Sequence, residues 1–583
     1  MYNLEFLRIT MNGKQSAKTT EQCSKGDGVK SLNSIENESM VHASYNADLL
    51  ARIDMLNAIG IALSSEKDMP HLLERILSGA KQITRADAGT LYTVNDDQRL
   101  VFEIVQNSSL DISMGGTSEQ AVELDPLPLY RGDGSPNNKL VVTYSALNNV
   151  TVNLPDVYQE NETGFDFSGP RMFDKKMNYR TCSMLCVPMI NHEGKTIGVI
   201  QLINKQADIG PVAFDEDDVH LLHSLASQAA IALSNKRLID DLKTLFESFI
   251  KTIATSIDET SAHTGEHCRR VPYLTLALAD VASRDQQFLK DFTLSEQERY
   301  NLEVASWLHD CGKLATPIHI VDKSSKLETV FDRIELIDTR FEVLKRDAKI
   351  NKLERQAEAG NDPLLTEQIE VLYLQEIQTL NEQRDFIRLC NKGMESMAPE
   401  LKTRVKQIAT HNWCNPDGEL IPFFSDDELN NLLIHFGTLN DDERKIINDH
   451  IVVTNKMLAS MQFPDEMASV PEYAGSHHER MDGQGYPLGL TRDQMSVPAR
   501  VMAIADVFEA LTSWDRPYKQ AKKLSEALAI LGKMKQRNHV DPDLFDLFIN
   551  EKVYLPYARE FMAPELIDIE EPCEIPGYPF DMP

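Results

Sequence analysis

The feature that most limits the fold of this chain is a stretch from about Glu216 to Ile257 that contains no proline. Along it Val219, Leu222, Ala226, Ala229 and Leu233, then Leu242, Leu245, Phe249 and Ile253, return every three or four positions. An α-helix gathers residues at that spacing onto one side. One long helix is therefore expected to divide the 583 residues into two parts of different texture. The stripe suffices for a two-stranded coiled coil. Packing along the preceding domain accounts equally well for its first half.

Before this helix, residues 46–235 mix helix and strand. Leu49, Ile53, Leu56, Ile59 and Leu63 follow helical spacing, while Gly89–Val94 and Leu100–Val105 read as strands. Ser183–Met189 and Thr196–Ile203 read as buried strands joined by a turn at His192–Gly194. Residues 12–45 are rich in Ser, Asn, Lys, Gly and Glu and poor in aromatics, and Met11 offers a second start. Such a segment buries little, so residues 1–45 are expected to be a flexible leader.

Composition excludes several classes. No run of about 18 apolar residues is present, and no basic region precedes an apolar stretch at the N-terminus, so neither a membrane span nor a signal peptide is expected. The eight cysteines form no CxxC pair and read as reduced thiols of a cytoplasmic protein. A net charge of −31 argues against binding a nucleic-acid polymer, which requires basic surface to displace counterions. A polyanionic substrate would have to be held by local cations or metals.

Within 46–235, Leu154-Pro155-Asp156, Phe173-Asp174 and Tyr179-Arg180-Thr181 precede a strand ending Val187-Pro188. Asn204-Lys205 follow, then Phe214 and Asp218. These landmarks resemble those of GAF sensor domains, which implies an α/β fold, an antiparallel sheet with flanking helices, and an unidentified small ligand. Val219 stands where cyclic-nucleotide-binding members carry Glu. A fold-maintaining role for Asn204, Lys205 and Asp218 is expected ahead of ligand contact.

The C-terminal half contains Trp307-Leu308-His309-Asp310-Cys311-Gly312-Lys313, where an apolar helical stretch delivers adjacent His and Asp. An Asp can bridge two cations through its two oxygens, and Lys313 follows close enough to stabilise phosphate charge. Upstream stand Thr264-Gly265-Glu266-His267 and Arg270. Downstream stand His477-His478-Glu479-Arg480-Met481-Asp482-Gly483-Gln484-Gly485-Tyr486-Pro487, then Arg500, Ala505-Asp506-Val507-Phe508-Glu509 and Arg516-Pro517-Tyr518-Lys519. In order and content these pieces resemble the HD-GYP phosphodiesterases, a branch of the HD hydrolases.

The resemblance implies an all-α domain over 258–583, entered by a signalling helix at 236–257. It also implies metal ligands at His267, His309, Asp310, His450, His477, His478 and Asp506. His450 is assigned because the family-like phrase broken after Lys323 resumes only at Leu439-Asn440-Asp441-Asp442-Glu443. Residues 326–437 are then a helical insertion, one helix marked by Leu327, Val330, Phe331, Ile334, Ile337, Phe341 and Leu344. A break at Gly360-Asn361-Asp362-Pro363 leads to a second, marked by Ile369, Leu372, Tyr373 and Leu380.

A nitrogen-rich set with a bridging carboxylate suits two iron or manganese ions. His263, where trinuclear members carry Glu, is the candidate ligand for a third. Lys313, Arg516 and Lys519 would contact substrate phosphate, and Gly485, Tyr486 and Pro487 would shape the rim. Glu479 and Asp482 are expected to hold the imidazoles in place. Asp310 and Lys313 are the expected catalytic groups. The implied substrate is a cyclic dinucleotide, cyclic di-GMP ahead of a mixed GMP-AMP ring. The implied partners are a second copy of the chain and diguanylate cyclases; a receptor without turnover is the alternative from another class.

Overall fold

The computed structural model describes residues 28–159, 164–208, 210–260, 266–394, 396–415, 417–513, 521–571 and 575–578, with side chains from Tyr45 onward except that of Thr260. They form two compact units that divide between Lys243 and Thr244.

The N-terminal unit runs through α1 (Gly28–Ser65), α2 (Met69–Thr84), β1 (Ala86–Val94), β2 (Arg99–Asn107), β3 (Ile112–Gly115) and β4 (Leu127–Pro128). It continues with α3 (Val141–Asn148), β5 (Val152–Leu154), α4 (Ser168–Met177), β6 (Met184–Ile190), β7 (Thr196–Ala207), β8 (Gly210–Val212) and the first part of α5 (Glu216–Thr260). The antiparallel sheet has the order β3-β2-β1-β7-β6-β5, with β4 beside β2 and β8 beside β7. Because side chains alternate along a strand, neighbours enter different cores. Leu91, Leu185, Val187 and Ile200 pack with α1, α2 and α5. Tyr92, Met184, Cys186 and Val199 pack with α3 on the opposite face. The α2 helix forms where Asp68 accepts the His71 N–H at 3.3 Å, Pro70 sits in the first turn, and Leu72, Leu73, Ile76, Leu77, Ala80 and Ile83 are all buried.

The Asn204, Lys205 and Asp218 landmarks are spent on the fold. Asn204 adopts a left-handed backbone (φ 58°); its amide oxygen accepts Cys182 N–H at 2.7 Å and its amide nitrogen donates to the Tyr179 hydroxyl at 2.9 Å. Lys205 Nζ pairs with Asp215 at 2.6 Å and with buried Asp218 at 2.5 Å, while Arg52 of α1 closes on the same Asp218. One expectation fails. Residues 28–45 are not leader but the first turns of α1. No proline interrupts them, and extending a helix already docked through Leu56 and Leu63 is far easier than nucleating one.

The C-terminal unit takes the rest of α5, then α6 (His267–Ala282), α7 (Glu296–Leu308), a 3-10 turn (Cys311–Ala315) and α8 (Ile318–Val321). There follow α9 (Ile334–Ala359), α10 (Pro363–Asn391), α11 (Pro399–Ile408), β9 (Asn412–Cys414), β10 (Leu420–Pro422) and α12 (Asp426–Leu432). The chain closes with α13 (Asp441–Asn448), α14 (His450–Ser460), α15 (Val470–Gly475), α16 (Val497–Thr512), α17 (Leu524–Gln536), α18 (Pro542–Asn550) and α19 (Tyr554–Phe561). The main core draws on α5, α6, α7 and α14–α19. Residues 326–437 have a core of their own around Ile337, Phe341, Ile387, Val405 and Phe423.

That excursion differs from expectation in two respects. It includes the β9–β10 hairpin, so it is not wholly helical. Its first helix starts at Ile334, leaving Val330 and Phe331 in the preceding turn and 90% and 55% exposed. The break falls where Gly and Pro placed it: Gly360 ends α9, and Asp362 caps α10 with Pro363 in its first turn.

Candidate metal centre

Short-range signals place each side chain of this centre. The helix α7 starts in a capping box between Ser295 and Glu298 and runs out at His309 and Asp310, after which the 3-10 turn redirects the chain. A Cβ on Gly312 would lie 1.9 Å from the His450 carbonyl oxygen, so only glycine lets the start of α14 pass this turn. The Gly312 N–H donates to Thr454 Oγ at 2.9 Å, and Thr454 Oγ donates to the His309 carbonyl at 3.2 Å. His267 opens α6, His477 and His478 follow α15, and α16 presents Asp506 and Glu509 on one face.

The five histidines and two aspartates expected from the sequence as ligands of two ions meet in one cluster. Asp310 Oδ2 lies 3.2 Å from His267 Nε2 and 3.3 Å from His309 Nε2, and its Oδ1 lies 3.2 Å from His450 Nε2. Asp506 Oδ1 approaches His267 Nε2 at 3.4 Å and His309 Nε2 at 3.8 Å. His478 Nε2 stands 3.2 Å from His450 Nε2, and the His477 ring lies 4.1 Å from that of His478. Two groups of donor atoms result, His267–His309–Asp310 and His450–His477–His478, either of which could hold a metal ion.

Hydrogen bonding decides how well a cation fits. His309, His450 and His477 each use Nδ1 to reach a backbone carbonyl, of Ser306, Ile447 and Ala474, at 2.8, 2.5 and 2.7 Å. A carbonyl only accepts, so Nδ1 carries the proton, and in the neutral tautomer this leaves a lone pair at Nε2. Those lone pairs converge. Among the described residues His477 Nε2 is buried with no hydrogen-bond partner, which is costly unless an electrophile occupies the centre. The donor set fits divalent transition metals.

Electrostatics differ between the rings: against its burial, Glu509, Asp310 and Asp506 hold His267 well above an ordinary histidine. Burial opposes charge on Asp310, but the Lys313 ammonium outweighs it and holds the carboxyl well below the usual range. Asp506 is held low too: the hydrogen bond and charge of His267 overcome its burial. Burial, then neighbouring imidazoles, holds His477 well below an ordinary histidine, and His478 is pushed down to about 4, chiefly by burial. Both stay neutral and able to donate a lone pair.

Glu509 is the functional residue the sequence reading passed over. It is fully buried, its Oε2 is 2.5 Å from His267 Nδ1, and its Oε1 accepts Arg270 Nε–H at 2.7 Å. A carboxylate behind an imidazole fixes the ring's orientation and raises its basicity.

The Gly485–Pro487 loop lies against the cluster. Tyr486 stacks on His478 with centroids 4.9 Å apart, and a Cβ on Gly485 would meet the Arg480 nitrogen at 2.4 Å. Glu479 and Asp482 do not hold imidazoles, contrary to expectation. Glu479 accepts the Leu488 and Leu490 N–H groups at 2.7 and 2.9 Å, so it fixes the rim loop, and Asp482 pairs with Arg480 at 2.7 Å. Lys313 Nζ lies 2.5 Å from Asp310 Oδ2. His263, Arg516 and Lys519 lie outside the described residues.

Comparison with known proteins matches residues 68–233 to the GAF domain family and residues 424–544 to the HD domain family. The chain carries a GAF domain and an HD domain. The HD match begins within the excursion, so His267, His309 and Asp310 lie upstream of it and join the cluster through the fold. Similar proteins include the 3'3'-cGAMP-specific phosphodiesterase 1 of Vibrio cholerae, 37% identical over 113 residues (19% of this chain, 25% of that protein). The cyclic di-GMP phosphodiesterase PA4108 of Pseudomonas aeruginosa is 37% identical over 113 residues (19% of this chain, 26% of that protein). The chain thus spans about a quarter of the length of each. The crystal structure of the GAF domain of an Acinetobacter phosphoenolpyruvate-protein phosphotransferase, 17% identical, aligns with 32% of this chain and 96% of that one, at a TM-score of 0.25. No helix among the described residues is long and apolar enough to cross a membrane.

Proposed function

We propose that this chain is a metal-dependent phosphodiesterase of the HD-GYP type that opens a cyclic dinucleotide, cyclic di-GMP in the first instance. The observation that carries the reading is the Asp310 carboxylate, whose two oxygens serve two separate imidazole groups. The names of the similar proteins supply the substrate class. A mixed GMP-AMP ring is the second reading, since one of those relatives is named for it.

Two iron or manganese ions, held by His267, His309, Asp310, His450, His477, His478 and Asp506, would supply an acidified water and charge neutralisation at the phosphate. The protein's own groups do the rest. Glu509 and the three backbone carbonyls fix the rings before substrate arrives, so no reorganisation is needed in the transition state. Lys313 offers an ammonium beside Asp310 for the charge that builds on the phosphoryl oxygens. Tyr486, packed on His478, walls one side of the site against solvent. Water adds to phosphorus, the bond to the ribose oxygen breaks, that oxygen takes a proton, and a linear dinucleotide leaves.

Regulation is assigned to the GAF domain and its unidentified small ligand, in a cytoplasmic homodimer. Leu238, Leu242, Leu245 and Phe249 of α5 are each more than half exposed, and their four-three-four spacing suits a coiled-coil seam. Inserting two residues after Leu242 should change basal turnover and leave metal content alone; unchanged turnover would remove the helix from control. Contact with diguanylate cyclases would use the exposed Leu488 beside Tyr486-Pro487.

The assignment of His450 is tested against Arg340, the other residue near the position where the family expects a ligand. Arg340 pairs with Glu428 at 2.7 Å and reaches the Phe423 carbonyl at 2.8 Å, both within the insertion. His450→Ala should lose bound metal and turnover, while Arg340→Ala retains the metal. The reverse result would overturn the ligand set.

A further inference from the structure

The helix α13 ends at the carbonyl that orients His450, yet it contains no buried residue. Packing alone therefore does little to fix its place. Lys323, 115 positions before Thr438 and on the other side of the insertion, supplies what packing does not. Its side chain is 1% exposed, and Nζ donates to both Glu443 oxygens at 2.8 Å and to Asn431 Oδ1 at 2.8 Å. Glu443 is the third residue of α13 and closes a capping box with Asn440. The Lys323 carbonyl also accepts the Thr438 hydroxyl at 2.9 Å. A buried ammonium with these three oxygens has little freedom, and a buried ion pair of good geometry fixes register even where it adds little net stability.

We propose that Lys323 is a positioning residue for the His450–His477–His478 half of the metal centre, acting through Glu443 and α13. The inference rests on the reading of that cluster as a two-ion site. The chain of contacts is continuous: Lys323 Nζ to Glu443, Glu443 through α13 to the Ile447 carbonyl, and that carbonyl 2.5 Å from His450 Nδ1. The His267–His309 half is set by Glu509 and the end of α7. The insertion is thereby tied to the His450 half, because Asn431, which shares the Lys323 ammonium, belongs to α12 within it.

Lys326, three residues on, is the internal control. It too is buried, but among the described residues its Nζ hydrogen-bonds the Ile434 carbonyl at 2.8 Å and the Leu432 carbonyl at 3.4 Å, neither of them in α13. The test uses the full chain, titrated with manganese and read by elemental analysis after desalting, with a thermal melt on each variant. Wild type should hold two ions, and Lys323→Met and Glu443→Gln should each weaken one of them by about tenfold or more, as loss of a group supporting a ligand typically does. Lys323→Arg should recover much of the loss, and Lys326→Met should lower the melting temperature while keeping both ions. Should Lys323→Met fail to fold, Glu443→Gln, which keeps the capping acceptor, decides alone. Two ions held at wild-type affinity in Glu443→Gln, or equal loss in Lys326→Met, would overturn the inference. A wild-type chain that binds no manganese would instead overturn the two-ion reading beneath it.

Discussion

Glu509 Oε2 stands 2.5 Å from His267 Nδ1, behind the face of the ring that turns toward Asp310. Its other oxygen is taken by Arg270, whose guanidinium also donates to Ser513 Oγ at 3.0 Å, so the carboxylate cannot swing away. Glu509→Gln keeps the shape and removes the charge. Metal affinity at the His267 half should fall by about 10- to 100-fold, with the fold intact by circular dichroism. Unchanged affinity would reduce Glu509 to a partner for Arg270.

Lys313 and Asp310 are in contact, but only the carboxylate is suited to hold a cation. Lys313→Ala should lower kcat by about 100-fold or more, the usual cost of a lost transition-state donor, while bound metal stays near wild type. Elemental analysis beside steady-state kinetics separates the two. Metal loss equal to that of Asp310→Ala would make the lysine structural.

Beneath the rim loop, buried Asp541 pairs with Arg492 at 2.8 Å and with Arg500, and caps α18 through the Asp543 and Leu544 N–H groups. Burial would raise this carboxyl, but Arg492 and Arg500 outweigh it, so its pKa lies below the ordinary value. A depressed folded pKa stabilises the protein fully above the unfolded value of about 3.9 and loses that contribution as pH falls through the folded value. Melts from neutral to acid pH should show this loss below about pH 4. Asp541→Asn should be destabilised already at neutral pH, by about 3–5 kcal/mol, because two arginines lose their buried partner. A wild-type melting temperature at neutral pH would contradict the role.

Much of the site was legible because its residues come in local phrases. His309-Asp310, His477-His478 and Asp506 each sit at a helix end or face that the sequence marks. His450 was recoverable across the excursion only because Leu439–Glu443 restores the broken phrase. The roles of Glu509 and Lys323 were not legible: their partners lie 242 and 120 positions away, and no periodicity encodes a contact at that range. The same limit explains Glu479, whose adjacency to His478 suggested an imidazole partner when the rim loop was closer. In the N-terminal unit the strands follow from alternation, whereas α1 exceeds its apolar stripe because docking at one end lets helix propagate into polar sequence.

Mass analysis of cyclic di-GMP after incubation with the manganese-loaded full chain tests the phosphodiesterase reading most directly. A linear dinucleotide, heavier by one water and absent when a chelator is added first, is the expected product. Intact cyclic di-GMP, from protein shown to hold two ions, would contradict it.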